Sequence, residues 1–200
     1  MSIIDAGNAA AAFREGTDRP GHARSVLLLG LGNDILTDDA IGLNIVRQVR
    51  RLLSEEEGIE TVATTEMGLV LLDYIVGYRD VVLVDAIQTG KAAPGHLHEM
   101  QAEDLKALPV ISPHFLGVGE TLALGRALGL SMPERVRVFA IEVQDPFTIS
   151  TQMTTPLRAA LPGIVEKVLK VLRELAPGGV PASGEGTRPT CDGDTDETNR

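Results

Sequence analysis

The residues of this chain with the types and spacing to do chemistry are a pair of adjacent aspartates, a third aspartate and one histidine. Asp38 and Asp39 follow an apolar run and a Gly-Leu-Gly-Asn turn, Gly30 to Asn33. Asp85 ends the run Val81-Val82-Leu83-Val84, and His114 stands in Ser112-Pro113-His114-Phe115-Leu116-Gly117. Two carboxylates and an imidazole make a three-ligand set with open positions, suited to a divalent transition metal. Each residue also has a plainer use. Either aspartate of the pair can cap a following helix, although two exceed what a cap requires. Asp85 can cap a loop, and a lone histidine can be structural. His96 and His98, one residue apart on a short strand, read as exposed edge residues, and His22 lies near the start of the chain. Glu66 and Glu142 each follow an expected strand and so are further candidates for the same edge.

Other chemistries lack their residues. The turn after the first apolar run has Ile35 where a dinucleotide fingerprint needs its third glycine, and no Gly-Lys-Ser/Thr follows to cradle phosphate. Neither a Gly-x-Ser-x-Gly elbow nor an HExxH helix is present. The one cysteine, Cys191, sits in a polar stretch, which excludes internal disulfides, cysteine-cluster metal sites and a buried thiol nucleophile.

The elements that must position these residues alternate along the chain. Ser25 to Leu31 is an apolar run suited to a strand covered on both faces. A helix capped by Asp38 or Asp39 follows, with Ile41, Ile45, Val49 and Leu52 or Leu53 at helical spacing. Ile59 to Thr64 reads as a strand, Leu69 to Val76 as a helix, and Asp80 to Asp85 as an apolar strand. His96 to Met100 is a short strand after the turn Gly90 to Gly95. Phe115 to Leu128 reads as a helix, Arg135 to Ile141 as a strand and about Thr155 to Leu175 as the last helix. This order predicts an α/β three-layer sandwich: a mostly parallel twisted sheet of about five strands, one of them antiparallel, with helices on both faces. Ligands of such sheets bind outside the carboxyl ends of the strands, and Asp39, Asp85 and His114 all fall at that edge.

Composition bounds the rest. The 200 residues carry a formal charge of −10 with 3% aromatics and no tryptophan, a poor match to nucleic acid, which requires clustered cations and stacking platforms. No apolar run is long enough to span a membrane, and the first residues lack a secretory core, so a cytoplasmic protein that binds no membrane is expected. Periodic apolar segments are confined to 25–176. Residues 1–24 are expected to form a flexible leader. Residues 177–200, rich in Gly, Pro, Thr and Asp, are expected to form a disordered acidic tail.

Three segments in register, LLLGLGNDILTDDAIGLNIV, VVLVDAIQTGKAAPG and ISPHFLG, resemble the hydrogenase maturation endopeptidases. The likeness runs from about Val26 through the last helix. It implies a phosphorylase/hydrolase-like fold and an endopeptidase that trims the C-terminus of the large-subunit precursor of a nickel-iron hydrogenase. It implies as well that Asp39, Asp85 and His114 are the catalytic and metal-binding residues. The metal is nickel already installed in the substrate, or another divalent transition metal in the same site. Many members have Gly-Thr or Gly-Ser after the second strand where this chain reads Thr65-Glu66-Met67-Gly68, a departure that bears on substrate choice. Peptidyl-tRNA hydrolases share the GLGN turn but continue with Pro-Gly and an Arg-His-Asn stretch absent here. A chaperone that inspects nickel in the large subunit without cutting it would use the same three ligands.

Overall fold

The computed structural model describes residues 24–54, 57–101 and 118–176. The expected leader and tail, and the segment holding His114, lie outside these. Among the described residues five strands form one sheet in the order β2-β1-β3-β5-β4. They are β1 (Arg24–Leu31), β2 (Ile59–Thr64), β3 (Tyr78–Ile87), β4 (Leu97–Gln101) and β5 (Arg135–Glu142). The first, second, third and fifth run parallel, and β4 pairs antiparallel with β5 at the edge. Helices α1 (Ile41–Leu52), α2 (Leu71–Ile75), α3 (Val118–Ala127) and α4 (Thr155–Leu175) connect or follow them.

The continuous apolar runs of β1, β3 and β5 are explained by burial on both faces. Val26 and Leu28 of β1 point with Val82, Val84, Phe139 and Ile141 into one core layer, which α1 and α4 cover. Leu27 and Leu29 point the other way, with Leu83 and Val138, into the layer covered by α2 and α3. Helix α4 lays Leu157, Leu161, Ile164, Val165, Val168, Leu172 and Leu175 along one face. Burying each such side chain contributes about 1.5–3 kcal/mol. No helix among the described residues is long and apolar enough to cross a membrane.

Strand order fixes where a ligand can enter. From β1 the chain passes to β2 on one side and then returns to β3 on the other, so the order reverses between β1 and β3 and leaves a crevice at their carboxyl ends. Glycine sets how closely α1 approaches that crevice. A Cβ at Gly42 would lie 2.2 Å from the Leu31 carbonyl oxygen and 2.4 Å from that of Val84, so the first turn of α1 rests directly on β1 and β3.

Candidate functional site

The loop between β1 and α1 is held on both sides. At Gly32 the backbone takes φ +147°, and a Cβ there would lie 2.1 Å from the Asp39 carbonyl oxygen, so the chain can fold back on itself only over glycine. The Asn33 side chain accepts the Ile35 N–H at 3.2 Å, closing the turn. Residues 35–38 then pair with the segment after β5. Thr37 N–H donates to Thr148 O at 2.9 Å, Asp38 N–H to Asp145 O at 3.1 Å and Ser150 N–H to Ile35 O at 3.1 Å. Leu36 bridges Ile149.

Asp38, fully buried, is the lock of this double loop. One carboxylate oxygen accepts the Thr154 N–H at 2.8 Å; the other accepts the Thr154 hydroxyl at 2.9 Å and the N–H groups of Asp145 at 3.0 Å and Gln144 at 3.2 Å. This corrects the expectation of a cap for the following helix. Helix α1 begins after Ala40 with no side-chain cap. Asp38 instead meets Thr154, the residue just before α4, where a carboxylate also complements the helix dipole. These donors lie more than a hundred residues downstream, beyond any local capping pattern.

Asp39 is buried one helical turn before Gly42, the point where α1 touches β1 and β3. Asp85 is fully buried and lies within β3, whose pairing with β5 continues from Asp85↔Ala140 to Ile87↔Glu142. The expected strand end at Asp85 therefore shifts by two residues, because the ladder to β5 carries the strand past the carboxylate. One Asp85 oxygen accepts the Ala86 N–H at 2.8 Å. Asp39 thus lies in the loop that follows β1, and Asp85 lies near the carboxyl end of β3, the two strands between which the order reverses. His114 lies outside the described residues, and among those described no three His, Cys, Asp or Glu side chains group to hold a metal ion.

The two glutamates have other work. Glu142 is the last residue of β5 and is buried. It accepts Thr89 N–H and Gly90 N–H, each at 2.8 Å, and the Thr89 hydroxyl at 2.7 Å, and lies 3.0 Å from His98 Nε2. Burial alone would raise its pKa, but the hydrogen bonds from Thr89, Gly90 and His98 outweigh it and hold the carboxyl below its ordinary value. Glu142 thereby pins the turn that leaves β3 two residues beyond Asp85. His98 is accordingly half-buried and engaged, not a free edge residue, and its ring meets that of His96 edge-on at 4.6 Å. Glu66 accepts a short hydrogen bond from the Tyr74 hydroxyl. Burial, and then Glu66, push that phenol up.

Sequence reasoning passed over the segment 144–154, which supplies every donor to the Asp38 side chain. Its local signs are an Asp145 side chain turned onto Phe147 N–H and Thr148 N–H, and Thr154-Thr155-Pro156 opening a helix. Those signs mark a turn and a helix start but not the carboxylate that meets them.

A sequence profile of the hydrogenase maturation protease family matches residues 43–171. The chain belongs to this family. It is 29% identical over 158 residues to the hydrogenase 2 maturation protease of Escherichia coli, a match spanning 78% of this chain and 95% of that protein. Among solved structures it resembles the hydrogenase maturating endopeptidase HybD from E. coli, with TM-score 0.64 and 29% identity over 75% of this chain and 93% of the other. A nickel-iron hydrogenase maturation protease HybD from Thermococcus kodakarensis gives TM-score 0.58 at 26% identity, over 74% and 99%. The chain is therefore a maturation protease, a peptide-bond hydrolase, and its sheet and helices are those of this family's α/β fold.

Proposed function

We propose that this maturation protease removes a C-terminal peptide from the nickel-loaded large-subunit precursor of a nickel-iron hydrogenase, in the cytoplasm, with Asp39, Asp85 and His114 receiving the substrate's nickel. What supports this reading is that Asp39 and Asp85 are both buried, one in the loop after β1 and one near the carboxyl end of β3, the strands between which the order reverses. Carboxylate and imidazole donors suit a divalent transition metal. Nickel held there tethers the precursor so that its C-terminal segment lies across the strand ends, turning a loose encounter into an oriented complex. Hydrolysis then adds water across one peptide bond, leaving a new carboxylate on the large subunit and an amine on the released peptide. The fixed carboxylates can orient that water or accept its proton.

The test is incubation of the full-length chain with nickel-loaded precursor, followed by intact-mass measurement. Two products whose masses add to precursor plus one water support the reading. A stable complex with the precursor mass unchanged over the same period would make the chain a non-cleaving inspection factor instead.

A further inference from the structure

The double loop that carries Asp39 also carries the two most exposed large apolar side chains among the described residues. Ile149 is 80% exposed and Phe147 73%, and Ile35 beside them is 55% exposed. Apolar side chains on a slack loop fold back onto the protein. Here the backbone forbids it. Leu36 bridges Ile149, Ser150 N–H donates to Ile35 O, and both the Thr37 N–H and its hydroxyl donate to Thr148 O, the hydroxyl at 2.7 Å. Asp145 holds Phe147 N–H at 3.1 Å and Thr148 N–H at 3.0 Å, and the hydrogen bonds from Thr148 and Phe147 keep its carboxyl below the ordinary range. Beneath them the buried Asp38 ties 144, 145 and 154 together. The result is a rigid platform that holds three apolar side chains outward.

We propose that this platform is where the folded body of the precursor docks, with Phe147 and Ile149 as its apolar anchors; the proposal rests on the substrate reading given above. Two observations choose this occupant. Ile35 is four residues from Asp39, at most about 14 Å of chain, so whatever brings a metal to Asp39 and Asp85 must lie over or beside the platform. The area is also too small for a stable second copy. An aromatic side chain buries about 150–250 Å², so these three supply several hundred Å² against about 800 Å² per partner in a stable interface. A surface of that size suits a transient partner already held at a second point, which is what a metal-tethered substrate is. Its complement is an apolar patch of the precursor surface next to the metal.

Initial rates of the full-length chain on nickel-loaded precursor, measured across precursor concentrations, test this with F147D and I149D. Each variant is expected to raise KM about tenfold with kcat changed less than about twofold, and F147L to restore KM. Titration with nickel(II) alone and the thermal midpoint should match wild type, because neither side chain touches the carboxylates or the core. Wild-type KM in both aspartate variants would overturn the docking proposal while leaving the substrate reading intact. Conversion of a wild-type dimer to monomer in sedimentation would also overturn it, assigning the platform to a second copy. Failure of wild type to cut the precursor would overturn both readings together.

Discussion

At the amino-terminal end of β3, Asp80 is fully buried and meets two guanidiniums: Arg79 Nε at 2.7 Å, and Arg135, whose Nη2 lies at 2.9 Å and whose Nε makes a second, shorter bond. Arg79 also reaches the Leu175 carbonyl at the end of α4, at 2.9 Å, so the cluster ties strand to helix. The carboxyl end of the same sheet buries Asp38 as completely, yet holds it with three backbone N–H groups and one hydroxyl. Both arrangements satisfy a buried carboxylate. At Asp80 the partners are cationic guanidiniums, whereas at Asp38 neutral donors fix the position of the side chain. One end of the sheet thus holds its buried carboxylate with cations, while the other holds Asp38 with neutral donors beside the loop that carries Asp39.

Exchanging single residues between these two modes should break the contrast in a graded way. The largest effect is expected at the crevice. Asp39→Asn or Asp85→Asn should lower the cleavage rate by about a hundredfold or more while circular dichroism stays that of wild type, because the amide keeps the shape and loses the charge. His114→Ala should do the same. Full activity in Asp39→Asn would remove that residue from the site. Next comes the lock: Asp38→Ala leaves four donors without their acceptor and should cost about 3 kcal/mol in denaturant unfolding, with a further loss of rate as the Asp39 loop loosens.

At the opposite end, Asp80→Asn should cost about 1–2 kcal/mol, since both arginines are partly exposed and screened, and should leave the cleavage rate unchanged. Equal losses of rate in Asp38→Ala and Asp80→Asn would erase the distinction between the two ends. The smallest effect is a pH dependence. The folded pKa of Glu142 lies below its ordinary value of 4.5, so its contribution to stability is complete above that pH and is lost as pH falls through the lower folded value. Glu142→Gln should flatten the acid limb of the stability curve, measured by unfolding at a series of pH values.

Much of this architecture is legible in the sequence because its signals are local. The run Ser25 to Leu31 is apolar at every position but the serine and Gly30, and it forms a strand covered on both faces. The last helix spans Thr155–Leu175, as its apolar spacing and the proline near its start indicate. Asp39 and Asp85 fall at the same edge of the sheet because the strands they follow or end are parallel, whatever the loop details. What escapes is long-range. An aspartate in an apolar run reads as a terminator, yet Asp85 continues its strand because β5 pairs with it. Asp38 reads as the cap of the next helix, yet its donors come from 144, 145 and 154. Glu142 reads as a residue just past its strand and a candidate for the site, yet it closes β5 and takes hold of Thr89 and Gly90. In each case the deciding partner is set by tertiary pairing, which a pattern along the chain does not contain.

The central claim is that the carboxyl edge receives a metal that arrives inside the substrate. It is tested most directly by presenting wild-type protein with nickel-loaded and nickel-free precursor in parallel and following both by intact mass. The expected result is release of a C-terminal peptide from the nickel-loaded form alone, at a rate that Asp39→Asn and Asp85→Asn each abolish. Equal processing of the nickel-free precursor would contradict it.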